Sequence, residues 1–180
     1  MGWLYSGTLF DPAQPATGLL PLVAVLFNLV HIYLGVMVGA ARRRYGIAYP
    51  TMYAVPGTLR AYSEEMRSGG DKDKGAAEPL QAMITEDEAY RFNTVQRGHQ
   101  NAVENAPYVL LMLVCAAPFP AIAAAAGVLH VAGRVLYAAG YSRNVKSRMW
   151  GAALIYPSLF VLLGLDIAAA IFLFRGTQPY

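Results

Sequence analysis

The sequence predicts an all-α membrane protein, folded as a bundle of four transmembrane helices. Hydrophobic residues make up 56% of the 180 residues and charged residues only 14%, whereas a soluble domain usually carries about 25% charged residues. The mean hydropathy of the chain is +0.37. Long apolar runs, separated by basic or proline-containing stretches, set the number of helices. The length suits a single domain.

The first predicted helix spans about residues 18–41, an uncharged run that ends at Arg42, Arg43 and Arg44. At 1.5 Å per residue this helix reaches about 36 Å, enough to cross a hydrocarbon core of about 30 Å. A cleaved signal sequence is the alternative interpretation. The apolar run is longer than a signal h-region, and its cations follow it instead of preceding it. A retained span is therefore favoured.

Three more helices are predicted in the second half of the chain, at about residues 88–117, 121–142 and 149–174. The first of these passes from a polar stretch into an apolar one. Pro118 and Pro120 separate it from the next, because proline disfavours a helix interior. The third predicted helix is rich in alanine and glycine, and small residues let helices pack closely in lipid. The fourth is interrupted only by Pro157 and Asp166.

The stretch between the first two helices, about residues 56–87, has the composition of a mobile loop. Eight of the eleven acidic residues of the chain lie between positions 56 and 90, together with a Gly-Gly pair and alternating Asp and Lys. Such a segment buries too little apolar surface to order itself. Thr85, followed three residues later by Glu88, matches a capping box, which predicts a helix start at this point.

The basic residues predict the orientation of the chain. Twelve of the fourteen Lys and Arg residues lie in or near the loops that follow the first and third helices. The positive-inside rule places these loops in the cytosol. Basic residues do not alternate with exposed aromatics, so nucleic acid is not a predicted partner. Cys115 is the only cysteine, which excludes an intramolecular disulfide and a cysteine zinc cluster; no metal site is predicted.

A polar set gathers at the predicted cytosolic end of the bundle. Arg97, Asn101 and Glu104 are spaced by four and three residues, so they share one face of the second helix. Tyr137 and Tyr141 are one turn apart on the third helix. Ionisable groups at membrane depth are costly and are therefore candidates for function. Further polar residues predicted at the same depth are Arg42, Arg43, Arg44, His99, Arg134, Arg143, Lys146 and Arg148.

The chemistry of this set indicates its ligand. Arginine binds carboxylates through two parallel hydrogen bonds, and Glu104 suits an ammonium group. An arginine beside a thiol favours the thiolate, which is the nucleophilic form. Glutathione has two carboxylates, one ammonium and one thiol, and it matches these groups. Other zwitterions stay open on this chemistry alone.

Structural roles are open for the same residues. The three polar residues of the second helix can form a salt bridge that fixes packing, and Arg134 can pair with Glu104 within the chain. The two tyrosines can be interfacial aromatics. The arginines after the first helix can be topology anchors, and Arg148 can be a solvated cation. His31 and His130 are expected to be packed, hydrogen-bonded residues instead of metal ligands.

Three stretches resemble one family, the membrane-associated proteins in eicosanoid and glutathione metabolism. RFNTVQRGHQNAVENAP, at residues 91–107, looks like the second-helix signature of that family. GRVLYAAGY, at 133–141, matches its third-helix motif, and AARRRYGIAYPTMYA, at 40–54, resembles the end of its first helix. The resemblance covers about residues 18–175 without the long loop, and the type 3 microsomal glutathione transferases are the most similar subfamily.

The resemblance implies a homotrimer that binds glutathione as co-substrate between neighbouring protomers. Carried over by position, Arg148 is the catalytic residue that stabilises the thiolate. The residues implied to bind glutathione are Arg42, Arg43, Arg97, His99, Asn101, Glu104, Tyr137 and Tyr141. Asn105 departs from the family pattern, because leukotriene synthases of the family have at that position a tyrosine that contacts glutathione.

The function implied is that of a membrane-bound glutathione transferase or peroxidase, with leukotriene synthase activity as a further expectation. Its second substrate would be a lipophilic electrophile or a lipid hydroperoxide that arrives through membrane lipid. The resemblance places it in the endoplasmic reticulum, with the active site towards the cytosol. The alternative is a non-catalytic lipid-binding or accessory protein of the same fold. A channel is disfavoured, because the polar residues cluster in one half of the spans.

Overall fold

The computed structural model describes residues 15–60 and 83–176. Short 3₁₀ turns, Pro15–Gly18 and Val145–Arg148, precede the first and the last helix. Leu59 and Met83, at the two borders of the gap between the described ranges, form an isolated antiparallel β-bridge. The described residues form four long helices: α1 (Leu19–Tyr45), α2 (Glu86–Cys115), α3 (Pro120–Arg143) and α4 (Met149–Arg175).

Within the described residues, α1, α3 and α4 are long and apolar enough to cross a membrane. Helix α2 carries Glu86, Asp87 and Glu88 in its first turn, and further charges follow in its N-terminal half, so its apolar part is shorter. The prediction of an all-α chain with four helices is confirmed. That all four helices cross the membrane, and that three protomers assemble, stay predictions.

Helices α3 and α4 meet backbone to backbone next to their connection, because glycines remove the intervening side chains. A Cβ atom on Gly151 would lie 2.2 Å from the backbone nitrogen of Tyr137, and one on Gly140 would lie 2.5 Å from the carbonyl oxygen of Ser147. The predicted close packing of the glycine-rich helix is therefore confirmed. This contact places the last turns of α3 beside the 3₁₀ turn that carries Arg148.

The main apolar core lies in the half of the bundle away from the basic loops. Phe27 of α1, Val109 of α2 and Leu162 of α4 are at most 2% exposed in this cluster, and small residues of α3 complete it. Lipid tails are as apolar as such a core, so van der Waals packing between the helices holds it together in a membrane. The opposite half of the bundle is left for polar groups.

Helix α2 begins with the predicted capping box, which is confirmed. The Thr85 hydroxyl accepts a hydrogen bond from the backbone nitrogen of Glu88 at 3.3 Å, and the Glu88 carboxylate accepts one from the backbone nitrogen of Thr85 at 3.0 Å. Arg60 donates two further bonds to this carboxylate, at 2.6 and 2.7 Å. The backbone bond from Thr85, together with its hydroxyl and Arg60, lowers the pKa of Glu88 below its ordinary value.

The structure differs from the predicted mobile loop at the two ends of residues 56–87. The backbone nitrogen of Gly57 donates to the carbonyl oxygen of Ile84, and that of Ile84 donates to the carbonyl oxygen of Thr58, both at 2.9 Å. Ile84 is only 3% exposed and packs in an apolar cluster with Phe92, which fixes this pairing. Residues 61–82, the rest of the predicted loop, lie outside the described residues.

Candidate functional site

The polar face of α2 carries the first part of the site. Arg97 and Glu104 are both about half exposed, and the Arg97 guanidinium lies 3.7 Å from the Glu104 carboxylate. Gln100, between them, donates from its side-chain amide to Glu104 at 3.0 Å. A pair this long and this exposed adds little to stability. Both charges therefore stay accessible to a ligand.

A cavity of about 360 Å³ opens beside Arg97, between the start of α2 and the end of α3. Ligand sites of small molecules usually have volumes of about 300–1,000 Å³. The wall is mainly aromatic and polar, with one cation from Arg97. The lining residues are Tyr53, Tyr90, Asn93, Thr94, Arg97, Tyr141 and Val145.

Tyr141 joins this cavity to Arg148. The Arg148 guanidinium donates to the Tyr141 hydroxyl at 3.4 Å and lies 5.2 Å from the centre of the ring. The Tyr137 ring lies 5.8 Å from that of Tyr141. The predicted residues Arg97, Tyr137, Tyr141 and Arg148 thus come from three neighbouring elements to one end of the bundle.

Asn101 faces inwards, into a buried chain of hydrogen bonds. Arg134, only 2% exposed, donates from Nη1 to the Asn101 side-chain oxygen at 2.8 Å and from Nε to His130 at 3.1 Å. His130 also contacts the Ser158 hydroxyl at 3.1 Å. That hydroxyl donates its one proton to the carbonyl oxygen of Ile155 at 2.7 Å, so His130 must donate to it and accept from Arg134. His130 is therefore hydrogen-bonded and packed, as predicted.

The alternative in which Arg134 pairs with Glu104 is wrong. None of the ion pairs among residues 15–60 and 83–176 includes Arg134. A second cavity, of about 60 Å³, lies against its guanidinium. The same cavity is lined by Asn105, whose side-chain amide donates to the carbonyl oxygen of Asn101 at 2.6 Å. The Asn105 amide thus bonds to the backbone of its own helix.

The remaining predicted site residues lie elsewhere in this protomer. Arg42 is 6% exposed; its guanidinium is 4.3 Å from the centre of the Tyr49 ring and donates to the carbonyl oxygen of Ala48 at 3.3 Å. Arg43 is exposed on α1. His99 is half-buried and faces α1, where its Nε2 would lie 3.6 Å from a Cβ on Gly35. The structure therefore does not bring these three residues to the cavity of their own chain.

Sequence reasoning missed two residues of the site, Tyr53 and Gln100. The Tyr53 hydroxyl donates to the Gln100 side-chain oxygen and lies 3.5 Å from the Arg97 guanidinium. Gln100 stands inside the second-helix motif, so that motif was a signal for it. Tyr53 lies in the stretch of residues 40–54 that resembles the end of the family's first helix, so that motif was a signal for it too. No helical periodicity indicates its contact with α2, since it belongs to the irregular segment after α1.

The site can accommodate a ligand with charges of both signs. Arginines supply donors for carboxylates, Glu104 supplies an acceptor for an ammonium group, and the hydroxyls of Tyr53 and Tyr141 contact Arg97 and Arg148, respectively. Among residues 15–60 and 83–176, no three His, Cys, Asp or Glu side chains form a group that could hold a metal ion. The donor set thus fits a zwitterionic organic molecule.

The helical bundle, with three helices long and apolar enough to cross a membrane among the described residues and polar groups gathered at one end, fits an integral membrane protein. The model of the MAPEG family matches residues 20–168, which is most of the chain. The chain belongs to the MAPEG family, whose members use glutathione and include glutathione transferases and peroxidases. The resemblance of the helix motifs is confirmed at the level of the family; similarity to the type 3 microsomal enzymes stays a prediction.

Proposed function

We propose that this protein is a membrane-bound glutathione transferase with peroxidase activity towards lipid hydroperoxides. The observation that carries the proposal is the meeting of Arg97, Glu104, Tyr141 and Arg148 at one end of an otherwise apolar bundle. Charged groups of both signs at such a place need a ligand or a structural partner. Their mutual contacts are long, which leaves their hydrogen-bonding capacity for a ligand.

Each charged group of glutathione has a counterpart in this arrangement. The Glu104 carboxylate would accept from the ligand ammonium, and the Arg97 guanidinium would donate to a carboxylate. Arg134 binds the side-chain oxygen of Asn101, so the NH₂ group is the part of this amide available to a ligand oxygen. Arg134 itself is a buried cation beside a small cavity, which favours a negative group there.

Arg148 is the residue that we assign to catalysis. A positive charge close to the thiol sulfur lowers the free energy of the thiolate relative to the thiol. The contact with Tyr141 holds the guanidinium beside the cavity. In the transferase reaction the thiolate sulfur bonds to an electrophilic carbon, and the bond that breaks leaves its electron pair on the departing halide or on the epoxide oxygen, which then takes up a proton. In the peroxidase reaction two glutathione molecules are oxidised to the disulfide while the hydroperoxide is reduced to an alcohol and water.

The membrane would deliver the second substrate. Helices α1, α3 and α4 present many exposed apolar side chains, and a lipophilic electrophile can approach along them. We further propose that the second half of α2 is a fourth span and that three protomers assemble. In that assembly Arg42, Arg43 and His99 would contribute to glutathione binding at the junction of neighbouring protomers. The polar end would face the cytosol, from the membrane of the endoplasmic reticulum.

The test is an activity and binding screen on the purified protein in lipid nanodiscs. Isothermal titration should detect glutathione binding, and assays with an aryl halide, a lipid hydroperoxide and a leukotriene epoxide should show turnover with at least one of them. Size analysis of the detergent complex should give a trimer. Binding of lipid without glutathione binding or turnover would instead support the non-catalytic lipid-binding or accessory role.

A further inference from the structure

The segment that follows α1, residues 46–60, is fixed to the polar face of α2 and forms one wall of the cavity. We call this segment the strap. The Asn93 side chain pairs with the backbone of Ala54 in both directions, accepting from its nitrogen at 2.7 Å and donating to its oxygen at 3.0 Å. Ile47 and Ala54 are buried against Phe92. The strap therefore has a defined position on α2.

One strap residue, Tyr53, lines the cavity and reaches Arg97. Tyr53 is 39% exposed, while its hydroxyl contacts Gln100 and lies 3.5 Å from the Arg97 guanidinium. The hydroxyl has a single proton. Arginine can only donate, so the Tyr53 oxygen accepts from Arg97 and its proton goes to Gln100.

Gln100 passes this orientation on to Glu104. The carboxylate can only accept, so the Gln100 nitrogen must face it, at 3.0 Å, and the Gln100 oxygen must face Tyr53. Apart from Glu104 itself, the Tyr53 hydroxyl is the one described contact that fixes the orientation of the Gln100 amide. Gln100 thereby connects the position of the Glu104 side chain to a residue of the strap, in addition to the contact of Glu104 with Arg97.

We propose that Tyr53 is a positioning and specificity-determining residue of the glutathione site. It orients Glu104 through Gln100, so that the carboxylate faces the ammonium group of the ligand. This inference rests on the proposed function. It adds that the strap helps to select one group of the ligand, the ammonium group. The strap, most of which precedes the predicted loop of residues 56–87, thus provides one wall of the cavity and one of its selective contacts.

The first experiment compares Tyr53→Phe with Tyr49→Phe, a matched control with the same change in the same segment, at a side chain that is 72% exposed. Titrations in nanodiscs use glutathione and its analogue without the amino group. Loss of one hydrogen bond that orients a charged group should weaken glutathione binding about threefold to tenfold. Binding of the deamino analogue and the unfolding temperature should not change, and Tyr49→Phe should behave as the wild type in all three measurements.

The second experiment tests whether Tyr53 acts through Gln100. Gln100→Leu alone should also weaken glutathione binding relative to the deamino analogue. In the Gln100→Leu background, Tyr53→Phe should have no further effect, because the coupling between them has been removed. Equal effects of Tyr53→Phe in both backgrounds, or equal effects on both ligands, would overturn the positioning role.

The two proposals fail in different ways. If the wild type binds glutathione but Tyr53→Phe binds it equally well, the positioning role is wrong and the proposed function stands. If the wild type binds no glutathione, both are wrong.

Discussion

The substitution Ser158→Ala tests the buried hydrogen-bond chain that holds Asn101. Ser158 and His130 are both 0% exposed. Removal of the hydroxyl leaves His130 with a nitrogen donor that has no acceptor. Moving the proton to the other ring nitrogen would not help, because that nitrogen faces the Nε donor of Arg134. One buried donor therefore stays unsatisfied in either tautomer.

The expected loss of unfolding free energy follows from this unsatisfied donor. A buried donor without a partner costs about 1–3 kcal/mol, and hydrogen bonds between membrane helices average about 0.6 kcal/mol. We expect Ser158→Ala to lower the free energy of unfolding by about 1–2 kcal/mol, the lower part of the first range, because the membrane average is smaller. The protein is unfolded reversibly in mixed micelles with increasing denaturing detergent, and helicity is followed by circular dichroism.

Ser142→Ala is the matched control. The Ser142 hydroxyl bonds to the carbonyl oxygen of Ala139 at 3.0 Å, three residues back, as Ser158 does with Ile155. Ser142 is exposed, so its loss should cost less than about 0.5 kcal/mol. Equal effects of the two substitutions would show that the chain from Ser158 to Asn101 does not contribute to stability.

Three further predictions concern packing, pH and the ligand. Gly151→Ala should strongly destabilise the α3–α4 pair, because the added Cβ would overlap backbone atoms. Gly164→Ala is the control and should leave stability unchanged, because Gly164 has open space around it. Equal losses of unfolding free energy in detergent for the two variants would contradict the close packing. The pKa of the Glu88 carboxyl is lower in the folded state, so the ionised carboxylate stabilises the start of α2 above its unfolded pKa of 4.5, and this stabilisation is lost as pH falls through the folded value. Hydrogen exchange of the first turn of α2, corrected for intrinsic rates, should show this loss. Glu88→Gln should remove the pH dependence. Glu104→Ala should weaken binding of glutathione about tenfold, as expected for a hydrogen bond to a charged group. Binding of the deamino analogue should not change. Equal losses of affinity for both ligands in titrations would reject the pairing of Glu104 with the ammonium group.

Features that depend on local sequence could be predicted. The capping box needs only Thr85 and Glu88, three residues apart, and it gives the start of α2 correctly. The prolines between α2 and α3 mark the break between these helices, and the small residues of α3 indicate a close contact. In each case the physical cause acts within a few residues, or depends on side-chain size alone.

The partners of the polar residues could not be predicted. Helical spacing puts Arg97, Asn101 and Glu104 on one face, but at about 100° per residue Asn101 is rotated about 60° from Glu104. That rotation is enough for Asn101 to face Arg134 while Glu104 stays half exposed. Sequence spacing predicts which face of its helix a residue lies on. The side chains of the neighbouring helix determine which hydrogen-bond partner it finds there.

The contact of Tyr53 also could not be predicted from local sequence, because its partner is distant in the chain. Its contact with Gln100 joins residues 47 positions apart and depends on the pairing of Ala54 with Asn93. The composition of residues 56–87 predicts a mobile loop. It does not show that the ends of this stretch pair with each other, because that pairing depends on the burial of Ile84 against Phe92.

Thiolate formation on glutathione binding is the most direct test of the proposed activity. Glutathione is added to the protein in nanodiscs near neutral pH. The ultraviolet difference spectrum is recorded for the wild type, for Arg148→Ala and for Arg143→Ala, which changes an exposed arginine at the end of α3. We predict thiolate absorbance for the wild type and for Arg143→Ala, and its loss in Arg148→Ala together with turnover. Full thiolate absorbance and turnover in Arg148→Ala would contradict the assignment of the catalytic residue, and no thiolate in the wild type would contradict the proposed activity itself.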